Sequence, residues 1–313
     1  MKKIMFLPVL LLGLLMLVSC EEQAPVSTSG GAFIGGTTGL VASFEPLSVK
    51  EGDIYTIFDS EDFSLDIQLV NKGEEDLQPE DATLRLLGPA HESFENIPAW
   101  EINNQRIIEK VSQYNPTGGE ESISFSPDAR AKFVGSITGY QDINWNLEYW
   151  YNYKTHLIVN DVCFKSDLSD TKVCNVKEAK VYSVSGAPIT VTKVEEDVAG
   201  KGIIMLRIDV QNAGLGKSTI KGTEFDARFD QISFSLEDTE KDKWECTSGG
   251  RENEARLIKS ETGENGVATA QIICRLKTPL NDGDLYTKSL GLTLDYTYKD
   301  LIQEKLRIKE GLK

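Results

Sequence analysis

Chemistry in this chain has to come from few residue types. Only two histidines, His91 and His156, occur in 313 residues, which leaves little material for a multi-histidine metal site or for general acid–base work. Neither lies in a recognisable triad context, and there is no Gly-x-Ser-x-Gly elbow. Leu215-Gly216-Lys217-Ser218-Thr219 shares the tail of a phosphate-binding loop, but that pattern requires Gly five residues before Gly216, where this chain has Gln211. A strand-to-strand turn is expected there instead. Acidic clusters at Glu51–Asp53, Asp59–Asp62, Glu74–Asp76 and Asp282–Asp284 could offer oxygens to Ca²⁺, yet none has the alternating ligands and central Gly of a twelve-residue calcium loop, so they read as solvated turns. The densest aromatic run is Trp145, Tyr149, Trp150, Tyr151 and Tyr153. Flat amphipathic rings suit sugar faces and peptide edges, but alternation puts all of them except Trp150 on the core side of a strand, so Trp150 is the one aromatic offered as a ligand contact. No catalytic residue, metal centre or cofactor is expected.

The remaining reactive side chains are five cysteines. Cys20 follows Lys2-Lys3 and the apolar run Ile4–Val18, the basic and apolar regions of a cleaved leader. Fifteen apolar residues rise about 22 Å as a helix, short of a hydrocarbon core of about 30 Å. Leu17-Val18-Ser19-Cys20 resembles the lipobox of prokaryotic lipoproteins. The resemblance implies cleavage after Ser19, a signal peptide at 1–19, and a diacylglycerol on the Cys20 sulfur that holds the mature protein at the outer face of a membrane. Residues 20–39 then form the lipidated cysteine and a Gly/Ser/Thr-rich flexible tether, with Phe33-Ile34 as its one apolar pair, suited to a short strand at the edge of the first module. In an extracytoplasmic chain the other four cysteines are expected in disulfides. Of three pairings, Cys163–Cys174 and Cys246–Cys274 are preferred because each stays within one local unit. The first closes over the polar turn Lys165–Thr171 and the second brackets a hairpin at Asn265-Gly266. Cys-x-x-Cys knuckles for metal or redox work are lacking.

Self-comparison supplies the architecture. Leu65–Gly73 (LDIQLVNKG) matches Leu206–Gly214 (LRIDVQNAG), both alternating and both ending Asn-x-Gly, and Leu147–Lys154 (LEYWYNYK) matches Leu292–Lys299 (LTLDYTYK). Two matches in the same order argue for tandem copies of one fold. Alternation makes both copies β, with Leu147, Tyr149, Tyr151, Tyr153, Thr155, Leu157 and Val159 on one face and Leu290, Leu292, Leu294, Tyr296 and Tyr298 on its counterpart. Such one-sided strands must pack on a second sheet. Convincing helical periods are scarce, and Ile102–Val111 (INNQRIIEKV) is the best candidate for one. The expected class is therefore all-β: two tandem β-sandwich domains, at 40–164 and 187–313, joined by a disulfide-closed linker at 165–186. The Asn-x-Gly strand ending and the lead-ins SFEP and GAPITVT resemble Ig-like modules of archaeal and bacterial surface proteins, the CARDB-like adhesion-type domains among them. With the lipobox and the YxYKT…VC strand, the whole resembles surface lipoproteins of small-genome archaea.

A balance of 33 basic and 49 acidic residues gives a net charge of −16, which repels duplexes and excludes nucleic acid as a partner. The expected function is that of a lipid-anchored extracytoplasmic surface protein, a structural or adhesive component of the envelope acting through protein surfaces. It is tied to the membrane through Cys20 and meets envelope or surface proteins or glycans. The alternatives are a carbohydrate- or peptide-binding lipoprotein and a secreted hydrolase using paired carboxylates. The sole Asn-x-Thr, at Asn115-Pro116-Thr117, carries the proline that forbids N-glycosylation.

Overall fold

The structure is a computed structural model that describes residues 31–167, 173–237, 239–259 and 266–311. The leader, Cys20, most of the tether and the tip of the Asn265 hairpin lie outside the described residues. The chain is all-β, with one 3₁₀ turn at His91–Ser93 and no α-helix among the described residues. Its sheets pack face to face as sandwiches around one continuous apolar cluster.

Two long strands organise everything else: Tyr140–Lys165, of 26 residues, and Leu285–Lys309, of 25. At about 3.3 Å per residue each spans on the order of 80 Å. They run antiparallel along their whole lengths, from Tyr140↔Lys309 to Lys165↔Leu285, with one irregularity between Val159 and Val162. The register pairs Asn152 with Thr297, and Thr297 Oγ1 donates to Asn152 Oδ1 at 2.9 Å. These two residues are also equivalent in the internal repeat, so the halves are related by a local two-fold axis through this pair. Tyr151 then opposes Tyr298, and Tyr153 opposes Tyr296, which gathers four buried tyrosines on one face where the halves meet.

Each long strand serves both sandwiches. In the first, Asn146–Tyr151 pairs with Ala82–Gly88 on one side, and Tyr140–Glu148 pairs on the other with the terminal stretch Leu301–Lys309, which itself takes Ile54–Phe58 as a parallel neighbour. In the second, the remainder of the first long strand pairs with Tyr182–Val184 on one side and with the early part of the second long strand on the other. That strand goes on to pair Asp230–Leu236 and Lys217–Thr219. The cover of the first sandwich is a sheet in the order Leu40–Phe44, Asp66–Asn71, Glu120–Ser124. The cover of the second is built on Ile189–Gly200, Ile203–Asn212 and Ala268–Leu276. Alternation has one physical cause throughout: side chains at even spacing point to the same face, and that face is covered. Leu147, Tyr149, Tyr151, Tyr153, Thr155, Leu157 and Val159 are all buried, as are Leu290 through Tyr298 on the matching parity.

Each repeat half lends a strand to the other, so the sheets do not divide at the expected bounds 40–164 and 187–313. Residues 154–165 build the second sandwich and residues 301–309 build the first. The segment 165–186 also carries structure, with Glu178–Ala179 and Tyr182–Val184 both in sheets.

Ile102–Val111, the best candidate for a helical period, forms no helix. Glu101–Asn103 is a strand paired with Thr83–Arg85, and Ile108 forms a bridge with Leu77. Asn104, fully buried, accepts the Ala82 N–H and donates to the carbonyls of Gln78 and Arg106. A ten-residue helix is marginal by itself, and an open sheet edge with a buried amide stitching the turn outweighs it.

Both disulfides form as paired on spacing, Cys163–Cys174 and Cys246–Cys274, over separations of 11 and 28 residues. Loop-closure entropy assigns them about 3 and 3.5 kcal/mol. The first is backed by a buried ion pair. Lys180 Nζ lies 2.7 Å from Glu196 Oε2, and the Cys163 N–H points between both Glu196 oxygens at 3.0 Å. Burial pushes the Glu196 carboxyl up, to about 7, against the pull of Lys180 and the Cys163 N–H.

Because the strands are shared, the chain should unfold as one unit. Single-tryptophan variants that keep only Trp145, in the first sandwich, or only Trp244, in the second, are expected to report the same denaturation midpoint. Two separated midpoints would show that the sandwiches fold independently.

Candidate functional site

The two sequence repeats meet in space. In the first half, Tyr153 Oη donates to Asn71 Oδ1 at 2.9 Å and accepts the Glu75 N–H at 3.3 Å. Asn71 Nδ2 in turn donates to the carbonyls of Glu75 and Ile108, and its Oδ1 also accepts the Gly73 N–H. The second half repeats this set. Tyr298 Oη donates to Asn212 Oδ1 at 3.1 Å and accepts the Gly216 N–H at 2.9 Å, while Asn212 Oδ1 also takes the Gly214 N–H and Nδ2 donates to Gly216 O and Asp230 Oδ2. The glycine of Asn-x-Gly is required by this contact. A Cβ at Gly73 would stand 2.2 Å from Tyr153 Oη, and one at Gly214 would stand 2.2 Å from Tyr298 Oη.

Around the first of these locks lies a densely connected polar site. Glu74, buried, receives the N–H groups of Ile34, Gly35 and Gly186 at 2.9, 2.8 and 2.7 Å, and its own N–H donates to Gly186 O. One carboxylate thus joins the tether, the Asn71 loop and the segment linking the halves. Next to it, His156 Nε2 lies 3.1 Å from Glu75 Oε2 and Nδ1 lies 3.4 Å from Thr293 Oγ1. The Phe33 ring stacks on the imidazole, centroids 6.2 Å apart and planes at 22°. The strand expected at Phe33-Ile34 is absent: backbone capture by a carboxylate and ring stacking hold these residues instead. Gly31, Phe33, Ile34, Lys110, Tyr114 and His156 line a cleft of about 470 Å³ here. The order hydroxyl, imidazole, carboxylate is that of a proton relay in outline, but one face of the ring is taken by Phe33 and Glu75 is also 4.0 Å from Lys154 Nζ.

On the far side of Glu75, a polar cleft of about 270 Å³ sits at the local two-fold, with Asn152 beside Glu75, Asp76, Asp81 and Asp295, and Lys154 and Lys221 opposing them. Burial holds the Asp295 carboxyl above its ordinary range, with Glu75 and Asp81 adding to the shift and the two lysines reducing it. A third cleft, of about 610 Å³, opens at the end of the second sandwich and is lined by Phe234, Leu236, Trp244, Asp242, Glu245 and Lys277.

The residues singled out from the sequence are dispersed. Trp145, Tyr149, Tyr151 and Tyr153 are buried. Trp150 is half-buried with the Arg85 guanidinium 4.7 Å above its ring, so its outward face is already occupied. His91 stacks on Trp100 at 3.7 Å. Lys217–Thr219 is a strand against Thr297–Lys299, in keeping with a turn-and-strand reading of that motif. The acidic clusters are used locally. Asp59 accepts the N–H groups of Ile137 and Gly311, Asp76 that of Lys110, Asp284 that of Asn281, and Glu51 pairs with Lys309. Among the described residues no group of three or more His, Cys, Asp or Glu converges as a metal site. Glu74 and the Glu75–His156 contact were not separable from other acidic turns in the sequence, because their partners lie 39 to 112 residues away.

Neither a protein-family model nor a curated protein matches the chain. Among solved structures, a chain in the crystal structure of the CsuC–CsuE chaperone–tip adhesion subunit pre-assembly complex, from archaic chaperone-usher Csu pili of Acinetobacter baumannii, is similar at a TM-score of 0.18 and 10% identity. The match covers 82% of this chain and 99% of that one, and at that score it carries no functional argument.

The lock makes a quantitative prediction. Tyr298→Phe removes a buried hydrogen-bond partner and should cost about 1–2 kcal/mol, and Gly214→Ala should cost about 1–3 kcal/mol by overpacking. In the double variant the phenolic oxygen that meets the new Cβ is gone, so the combined loss in urea denaturation should fall clearly below the sum. Strict additivity would mean that glycine and tyrosine are not coupled.

Proposed function

We propose that this protein is a lipid-anchored, extracytoplasmic component of the cell envelope that acts through its surfaces as a structural or adhesive element, with surface proteins or glycans as partners and Cys20 as the lipidated residue. The observation that carries the reading is the pair of disulfides, since such bonds persist in oxidising compartments outside the cytoplasm. They agree with a leader that ends in the lipobox-like Leu17–Cys20. The strand-shared double sandwich suits a stiff spacer: two strands on the order of 80 Å long, paired throughout, resist bending at the junction of the halves in a way that two modules on a flexible linker do not. Expression with a radiolabelled fatty acid or isoprenoid precursor tests the anchor. The wild-type chain should take up label and sediment with membranes, and Cys20→Ala should lose both. An unlabelled wild-type chain in the soluble fraction would overturn the proposal.

A second reading, a hydrolase, is favoured by one observation: Asp295, its carboxyl held above the ordinary range, shares the two-fold cleft with Glu75, Asp76 and Asp81, as a general acid beside carboxylates would. A broad glycoside panel decides it. Turnover that Asp295→Asn reduces by about 100-fold or more would replace the structural reading, and absence of turnover would remove the hydrolase.

A further inference from the structure

We infer that the end of the first sandwich that carries the docked tether is a membrane-contact face, with Tyr114 and Ile34 entering the interfacial layer of the bilayer. The inference rests on the lipidation of Cys20 proposed above and adds an orientation to it. Tyr114 is 98% exposed at the tip of the loop that follows Val111, and Ile34 is 52% exposed. Both line one cleft with Phe33 and Lys110, so the patch combines an aromatic with a polar handle, a branched aliphatic and a cation on a long apolar stem. That combination suits the boundary between acyl chains and headgroups, where amphipathic rings settle and lysine stems extend toward water.

The position of the patch selects its occupant. Gly31 lines the same cleft, so the chain that leads back to Cys20 leaves the folded body there. Ten residues lie between Cys20 and Gly31, so eleven Cα–Cα steps join them. Their root-mean-square reach is about 18 Å, and their full extension is about 38 Å. Were the chain free as far as Gly39, the corresponding reach would be about 24 Å. The Glu74 carboxylate, by holding the N–H groups of Ile34 and Gly35, shortens the free tether and fixes which end of the body faces the lipid. Anchored at that distance, Tyr114 and Ile34 meet the bilayer repeatedly, and their exposed apolar surface is then removed from water. The net charge, −16 for the whole chain and −18 once Lys2 and Lys3 leave with the leader, opposes contact with anionic lipid, so the contact should be closer on zwitterionic bilayers.

The test uses the full chain lipidated at Cys20 in phosphatidylcholine vesicles, with and without 30 mol% phosphatidylglycerol (about one lipid in three, enough to set a negative surface potential). Tyr114→Trp adds a reporter whose emission is read as the difference from the wild-type chain. The expected result is a blue-shifted difference spectrum, quenched by lipids brominated high on the acyl chain and quenched less when phosphatidylglycerol is present. Glu74→Ala, checked for folding by circular dichroism, should still float with vesicles but lose most of that quenching. A Tyr114→Trp chain that floats with the vesicles yet shows water-exposed, unquenched emission overturns the contact face while leaving the anchor intact. Loss of accessibility at position 114 that depends on protein concentration and not on lipid would assign the patch to a second copy of the chain, again against the inference. A chain that does not float removes the anchor and this orientation with it.

Discussion

The bond between a tyrosine hydroxyl and an asparagine amide, made once in each half, is the constraint on which the rest of the architecture depends. The side-chain amide of an Asn at the end of a cover strand has four hydrogen-bonding positions that the sheet ladder does not fill, and left unpaired in the core it would cost several kcal/mol. Asn71 and Asn212 each meet this demand with the phenol of the long strand below and with the backbone of the turn they begin. The two layers of each sandwich are thereby set in one register, and the turn after the cover strand is shaped by the same amide. The glycine two residues on is then the only side chain small enough to lie against the phenol.

With the layers set, the long strands can run on past their own halves. Each has an apolar face longer than one cover sheet, and each projects into the other sandwich, where a cover sheet is waiting. Burying that overhang removes the surface that would otherwise promote edge-to-edge association. It also makes each half incomplete without the other. The junction of the halves is consequently a continuous two-layer body centred on Asn152 and Thr297, with four tyrosines stacked edge to face beneath it. This is a different mechanical object from two domains on a linker.

Glu74 links this rigid body to the chain that precedes it. A carboxylate that accepts three backbone N–H groups and sits buried at the junction orders residues whose composition, rich in Gly, Ser and Thr, favours disorder. The neighbouring Glu75 and His156 provide a platform for Phe33. The Glu74 carboxylate is employed here in holding backbone. The acidic turns elsewhere do the same, which accounts for an acidic surface without a metal cluster among the described residues.

Much of this was legible in the residues. Period-two alternation specified β structure because a pleated strand shows alternate side chains to opposite faces, and the Asn-x-Gly and Tyr-x-Tyr-Lys repeats marked two copies because the contact between them needs those residue types. Cysteine spacing was enough to choose Cys163–Cys174 and Cys246–Cys274, since short loops close most readily. What tertiary structure alone decided was pairing at a distance. Nothing in Tyr140–Lys165 or Leu285–Lys309 names its neighbour, because backbone hydrogen bonds are the same for every sequence and two greasy strands of equal length fit many partners. The strand at Glu101–Asn103 was settled by the open edge of Ala82–Gly88, and the roles of Glu74 and His156 by groups dozens of residues away. Local composition determines which elements form and which faces they bury; which edges and carboxylates meet depends on shape, and shape exists only after the chain has folded.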